Sequence, residues 1–222
     1  MFIPLKDLNP SRRYPFVNLT LILLNIGVFL YQFNLKVTLT SRAYDAILVS
    51  YSVVPARFLA FASGHTGFDV AFLPLLTSMF LHQGLLHIAG NMLFLWIFGD
   101  NVEDSFGHIA YFFFYLVCGI GAGLFQALFN LHSTVPALGA SGAISGVMGA
   151  YILLYPRARI LTLVFIFVLP IPAVFVLGSW FVMQILAGMN ALGAGLMGGV
   201  AWWAHIGGFL LGMLLTNFLA RR

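Results

Sequence analysis

Leu138–Tyr155 reads LGASGAISGVMGAYILLY, and no charged side chain interrupts it. A stretch that is apolar on every side belongs in a protein core or in a bilayer. The rest of the 222-residue chain decides between the two. Hydrophobic residues make up 61% and charged residues 7%, against about 25% charged in an average soluble domain. So few charges cannot cover a water-facing exterior, which excludes a soluble globular domain. Disorder is excluded by the same apolar content. Cys118 is alone, so neither a disulfide scaffold nor a zinc ribbon can be built. The fold class is an all-α membrane protein.

Five further charge-free runs accompany the first: Phe16–Phe33, Leu85–Gly99, Ile109–Asn130, Pro172–Gly188 and Gly199–Leu219. Six spans are therefore expected. Lys and Arg in short loops mark the cytoplasmic side. Lys6, Arg12 and Arg13 place the N-terminus inside, and six crossings return Arg221 and Arg222 there, with Arg157 and Arg159. Both termini are thus expected to be cytoplasmic. Residues 1–15 form a short cytoplasmic tail, and 16–222 form a single membrane domain with an outer loop over about 34–84. The first span reads as an uncleaved signal anchor, because no A-x-A-like site follows it. Topology accounts for the net charge of +4, so no nucleic-acid partner is implied. Within the outer loop, Val53-Val54-Pro55 opens a short helix through Phe61. Arg157–Pro170 reads as a cytoplasmic or interfacial connection, with Pro172 opening the fifth span.

Polar groups inside spans are expensive and therefore candidates for function. They are His87 and Asn91 in the second span, Ser141 and Ser145 in the fourth, and His205 in the sixth, with Gln126, Ser179 and Gln184. Ser141 lies 15 residues before Pro156, and His205 lies 16 before Arg221. A rise of about 1.5 Å per residue puts both roughly 22–24 Å above the inner boundary. His87 comes out at a similar depth, and Asn91 follows one turn later on the same face. Small residues recur beside them, as Gly142, Gly146 and Ala150 on one helix and Ala204, Gly208 and Gly212 on another. Such ridges let backbones approach closely. If the two ridges pack, the Ser141 hydroxyl and the His205 imidazole come within hydrogen-bond reach.

A serine needs a base to become a nucleophile. No Asp or Glu lies in any span, so the chemistry this sequence allows is a Ser–His dyad. Ser141 attacks a carbonyl, and His205 takes its proton and returns it to the leaving amine. The oxyanion then needs donors. Ser141 opens a helix, whose first amides are free, and His87 and Asn91 add side-chain donors from across the site. Gly139 and Gly142 leave room for a substrate backbone.

Phe80-Leu81-His82-Gln83-Gly84-Leu85-Leu86-His87-Ile88-Ala89-Gly90-Asn91, Gly139-Ala140-Ser141-Gly142, and Ala204-His205-Ile206-Gly207-Gly208 with Gly212 match the H-x4-H-x3-N, G-x-S-G and A-H-x2-G-x3-G signatures. They occur in family order, and the chain resembles the rhomboid intramembrane serine proteases over nearly its whole length. The resemblance implies a six-transmembrane-helix rhomboid-like bundle with Ser141 as nucleophile, His205 as base, and His87 and Asn91 lining the oxyanion hole. It also implies cleavage of single-pass membrane proteins without cofactor or metal, entry near the fifth span, and a bacterial cytoplasmic (inner) membrane location. The loop Met189–Gly198 would cap the site. Val102-Glu103 with Gly107 matches the family's stretch after the second span. Two positions depart from the pattern. Leu73-Pro74 stands where many members carry Trp-Arg, and Ser145 stands where some carry a Tyr that stacks on the catalytic histidine. Ring stacking on His205 is then expected to be missing, with Ser145 a second hydroxyl near the site. His82 reads either as a participant near the site or as an interfacial loop residue. A non-catalytic rhomboid-like scaffold that binds client proteins is the alternative function. A small transporter is a third class, disfavoured by the lack of inverted repeats.

Overall fold

The computed structural model describes residues 2–193 and 200–220. A strand β1 (Phe2–Asp7) leads into helix α1 (Phe16–Thr38). Four short helices follow: α2 (Ser41–Ser50), α3 (Ala56–Ala62), α4 (Phe68–Phe72) and α5 (Pro74–Thr77), with a 3-10 turn over Ser78–Phe80. Then come α6 (Leu85–Phe106), α7 (His108–Leu128) and α8 (Ser141–Leu154). Strands β2 (Arg159–Val164) and β3 (Phe167–Pro172) precede α9 (Ala173–Gly193) and α10 (Trp202–Leu219). Five of these helices, α1, α6, α7, α9 and α10, are long and apolar enough to cross a membrane, and α8 is a shorter apolar helix of 14 residues. The chain is a membrane helical bundle.

Helix α8 is the hub. Gly142 through Tyr151 are all buried, which is how a helix apolar on every side behaves when other helices surround it. Its glycines set how close those helices come. A Cβ at Gly142 would meet the Ala122 methyl of α7 at 2.6 Å, and one at Gly146 would meet the Cys118 side chain. On the other face, a Cβ at Gly208 or Gly212 of α10 would strike the carbonyl oxygens of Gly142 and Gly146. The two small-residue ridges therefore pack backbone to backbone, and Cys118 is a packing residue.

The helices extend past the charge-free runs. Helix α6 carries Asp100, Glu103 and Asp104 in its last two turns and stops at Gly107, whose φ of 83° lets the chain turn directly into α7. Glu103 is almost completely buried. Its carboxylate accepts hydrogen bonds from the Val17 and Asn18 amides (3.0 and 2.7 Å), which are free donors in the first turn of α1, and also contacts His108 Nδ1. His108 thus opens α7 and completes this joint. Replacing Glu103 by Ala strands two buried N–H donors. We expect a loss of about 2–4 kcal/mol, read as a lower unfolding midpoint in detergent. Glu103→Gln, which keeps one acceptor, should lose less.

A three-stranded antiparallel sheet, in the order β1-β2-β3, closes the end of the bundle away from Ser141. It adds to the helices an element that the reading of 157–170 as a connection does not contain. The sheet pairs Phe2 with Val164 and Arg159 with Pro172. Asp7 ties it to the bundle by accepting from Tyr151 Oη (2.6 Å) and Asn101 Nδ2 (2.9 Å). Burial pushes the Asp7 carboxyl above its ordinary range, against the lowering effect of the bonds from Tyr151 and Asn9.

The segment between α1 and α6 is held by its own bonds. His82 N donates to Gln32 Oε1 (3.0 Å) and Gln32 Nε2 donates back to His82 O (3.3 Å). Thr77 Oγ1 donates to Tyr51 O, and Val53 bridges to Ala137. Leu73 is exposed, while Pro74 is buried at the start of α5.

Candidate active site

Short α8 begins well inside the bundle, and its first residue is Ser141. Above that end lies a cavity of about 460 Å³, lined among others by His87, Asn91, Ser141, Met148, Trp180 and His205. Four helices contribute, α6, α8, α9 and α10. The backbone-level packing of α8 on α10 brings His205 Nε2 to 2.8 Å from Ser141 Oγ.

The other ring nitrogen of His205 is also engaged. Nδ1 lies 2.8 Å from Oε1 of Gln184, a buried residue of α9. Trp180, one turn earlier on α9, sets its ring beside His205 with centroids 5.8 Å apart, and Trp202 meets it edge-on at 6.3 Å. Neither ring lies flat on the imidazole, since Trp180 is tilted by 40° and Trp202 stands edge-on, so His205 is walled by α9 and α10 without a stacked ring. Ser145 is not a second site hydroxyl. Its Oγ donates to the Ser141 carbonyl at 2.6 Å, a bond back to its own helix.

On the opposite wall, Gly139 has a φ of 125°, and a Cβ there would press on the His87 ring at 2.8 Å. Only glycine suits both the backbone and the space. Gly139 N donates to Ser78 O at 2.9 Å, which fixes this strand of backbone beside the cavity. His87 Nδ1 accepts from Gln83 N at 3.4 Å, which leaves its Nε2 to carry the proton. Asn91 is buried, and its Nδ2 has no hydrogen-bond partner among the described residues. A buried amide donor facing a cavity without a partner is costly unless something binds there. The first amides of α8 have no side-chain cap and add free donors at the same place.

His82 is buried against His87, with ring centroids 5.1 Å apart. Burial, and secondarily the neighbouring His87, pull its imidazole down to about 4. It supports the His87 ring from behind and does not line the cavity. Gln126 of α7, noted in the sequence only as a polar residue in a span, accepts from Ala204 N at 3.1 Å and so caps the start of α10. Of the loop Met189–Gly198 expected over the site, Met189–Gly193 is the last part of α9, and 194–198 lie outside the described residues.

Similar proteins identify the family. The chain is 35% identical over 149 residues to "Rhomboid protein 1, mitochondrial" of Saccharomyces cerevisiae, covering 65% of this chain and 41% of that protein. To "RHOMBOID-like protein 6, mitochondrial" of Arabidopsis thaliana it is 37% identical over 152 residues, covering 65% and 43%. "Rhomboid protease AarA" of Providencia stuartii is 32% identical over 215 residues, covering 90% of this chain and 71% of that protein. The chain thus spans under half the length of the two mitochondrial relatives. Residues 70–222 match the Rhomboid domain, and the chain is an integral membrane protein of the rhomboid family.

Proposed function

We propose that the protein is an intramembrane serine endopeptidase that hydrolyses a peptide bond of single-pass membrane proteins near the outer membrane boundary. The observation that carries this reading is the 2.8 Å contact between Ser141 Oγ and His205 Nε2 at the floor of an open cavity. Ser141 Oγ bonds to the substrate carbonyl carbon while its proton passes to Nε2. The C–N bond then breaks, and the departing amine takes that proton. A water, deprotonated by the same nitrogen, hydrolyses the acyl-enzyme and regenerates Ser141.

The negative charge on the carbonyl oxygen falls where donors stand ready. These are Asn91 Nδ2, His87 Nε2–H and the Ser141 amide. Gly139 and Gly142 keep the approach clear, and Gly146, Gly208 and Gly212 hold the two helices together. His87→Ala and Asn91→Ala should each lower kcat by about 10²–10³-fold with KM little changed. Steady-state kinetics on a purified single-pass substrate would read this, and a variant with unchanged turnover removes its residue from the hole.

In this reading the chain crosses the membrane six times, with both ends cytoplasmic, in a bacterial inner membrane. The sheet supports the count. β1 and β2 pair strand to strand, so they share one side of the bilayer. The number of crossings between them must then be even. Three long helices, α1, α6 and α7, lie between, so α8 supplies the fourth despite its 14 residues.

The direct test is cleavage of a single-pass substrate by purified protein, together with labelling by a serine-reactive fluorophosphonate. Both should vanish in Ser141→Ala. Cleavage that survives that change overturns the proposal in favour of a scaffold or a contaminating protease.

A further inference from the structure

Gln184 is a buried side chain on a membrane helix, and both ends of its amide are engaged. Nε2 donates to Trp180 O at 3.4 Å, one turn back on α9. That bond fixes which way the amide is turned, so Oε1 is the atom 2.8 Å from His205 Nδ1. An amide oxygen only accepts, so Nδ1 must carry the proton. The lone pair is then on Nε2, which is the atom 2.8 Å from Ser141 Oγ. Each assignment forces the next, from the α9 backbone to the serine hydroxyl. Had Gln184 merely satisfied itself on its own helix, its oxygen would be left buried without a donor.

We infer that Gln184 is the third member of the site, a positioning residue that holds His205 in the Nδ1–H tautomer and steadies the imidazolium formed when Ser141 gives up its proton. The inference rests on the Ser141–His205 reading and turns the dyad into a Ser–His–Gln relay. A neutral amide does the orienting work that an acid does in other serine hydrolases. It avoids placing a carboxylate inside a membrane helix, where a charge is expensive. Trp180 adds to the arrangement from the same helix by walling one side of the imidazole.

Three variants test it. Gln184→Met keeps the length and removes the acceptor, and is expected to lower kcat by about 10²-fold while leaving KM within twofold. Gln184→Glu restores an acceptor and should recover most of that loss. It should also move the acidic limb of the kcat–pH profile upward, because a carboxylate at Nδ1 favours the protonated ring, which cannot act as base. The titratable group facing His205 from across the cavity is His87 on α6. Ser141 of α8 and Gln184 of α9 are neutral, and no carboxylate lines the cavity among the described residues. Gln184→Asn, one carbon shorter, should fall with Gln184→Met. Wild-type kcat in Gln184→Met overturns the inference. So does equal impairment of the Met and Glu variants with an unmoved pH limb, since that is the mark of a packing role only.

A second readout does not need activity. Nitrogen-15 NMR of histidine-labelled wild-type protein should show His205 protonated at Nδ1, and Gln184→Met should show a tautomer mixture. An Nε2–H ring in the wild type sinks the inference. Absence of Ser141-dependent cleavage would instead sink the protease reading, and the tautomer would still decide the part played by Gln184.

Discussion

Changing Ser141 and His205 to Ala together should slow peptide cleavage no further than changing either one. Each single change is expected to lower kcat by about 10⁴-fold or more, because a hydroxyl without its base and a base without its hydroxyl are equally idle. The 2.8 Å contact makes the two groups one unit, and groups that act as a unit lose their function once, not twice. The measurement is single-turnover cleavage in detergent for the wild type, both single variants and the double variant. A double variant slower than both singles by a further large factor would show two independent contributions and break the unit apart. Binding should survive throughout, since the cavity walls are intact and neither change removes packing bulk from α8 or α10.

The second large effect lies in packing. Gly208→Ala adds one methyl group, yet that methyl meets the backbone oxygen of Gly142, which has no rotamer to move. The helices must part. The expected cost is about 3 kcal/mol, a large share of the 5–15 kcal/mol that typically holds a domain. The same separation pulls His205 away from Ser141, so cleavage should fall more steeply than stability alone predicts. Gly212→Ala should behave alike through the Gly146 backbone. Gly178→Ala is the control: nothing lies within 4 Å of a Cβ there, and alanine gains up to about 1 kcal/mol of helix propensity. Thermal unfolding and cleavage of all three, measured side by side, check this. A Gly208→Ala protein as stable as Gly178→Ala would mean that the α8–α10 contact is looser than described.

The membrane class was readable because charge is a direct measure of what can enter lipid. The ends of the helices were less so. Asp100, Glu103 and Asp104 stop a charge-free run at Gly99, but a helix has no need to stop where its charges begin, and α6 continues to Phe106. The sheet was invisible for a different reason. Arg159–Val164 is short and apolar with prolines nearby, which suits a connection as well as a strand, and its partner β1 lies more than 150 residues away. The polar residues were readable as candidates from their cost in a span. The Ser141–His205 contact was readable too, from the two small-residue ridges, but the geometry around the far side of the imidazole was not. Gln184 and Trp180 stand on a helix whose rotation no periodicity fixes, so neither the bond to Nδ1 nor the ring beside His205 could be foreseen. Ser145 shows the converse, a residue of the right type at the right depth that serves its own helix.

The Phe2–Val164 pairing also sets an order of events during synthesis. β1 is made before α1, α6, α7 and α8, and its hydrogen-bonding edge has no sheet partner until β2 has emerged behind all four. Contacts so far apart in the chain form late, because every intervening element must first be in place. In the proposed six-span topology, closure of the sheet is contingent on insertion of the central helix. In that topology, a chain in which α8 failed to enter would leave β1 and β2 on opposite faces of the bilayer, with an unpaired strand edge on each. On the proposed topology, the paired sheet would mark a bundle whose central helix has entered, and unpaired strands one stalled a helix short.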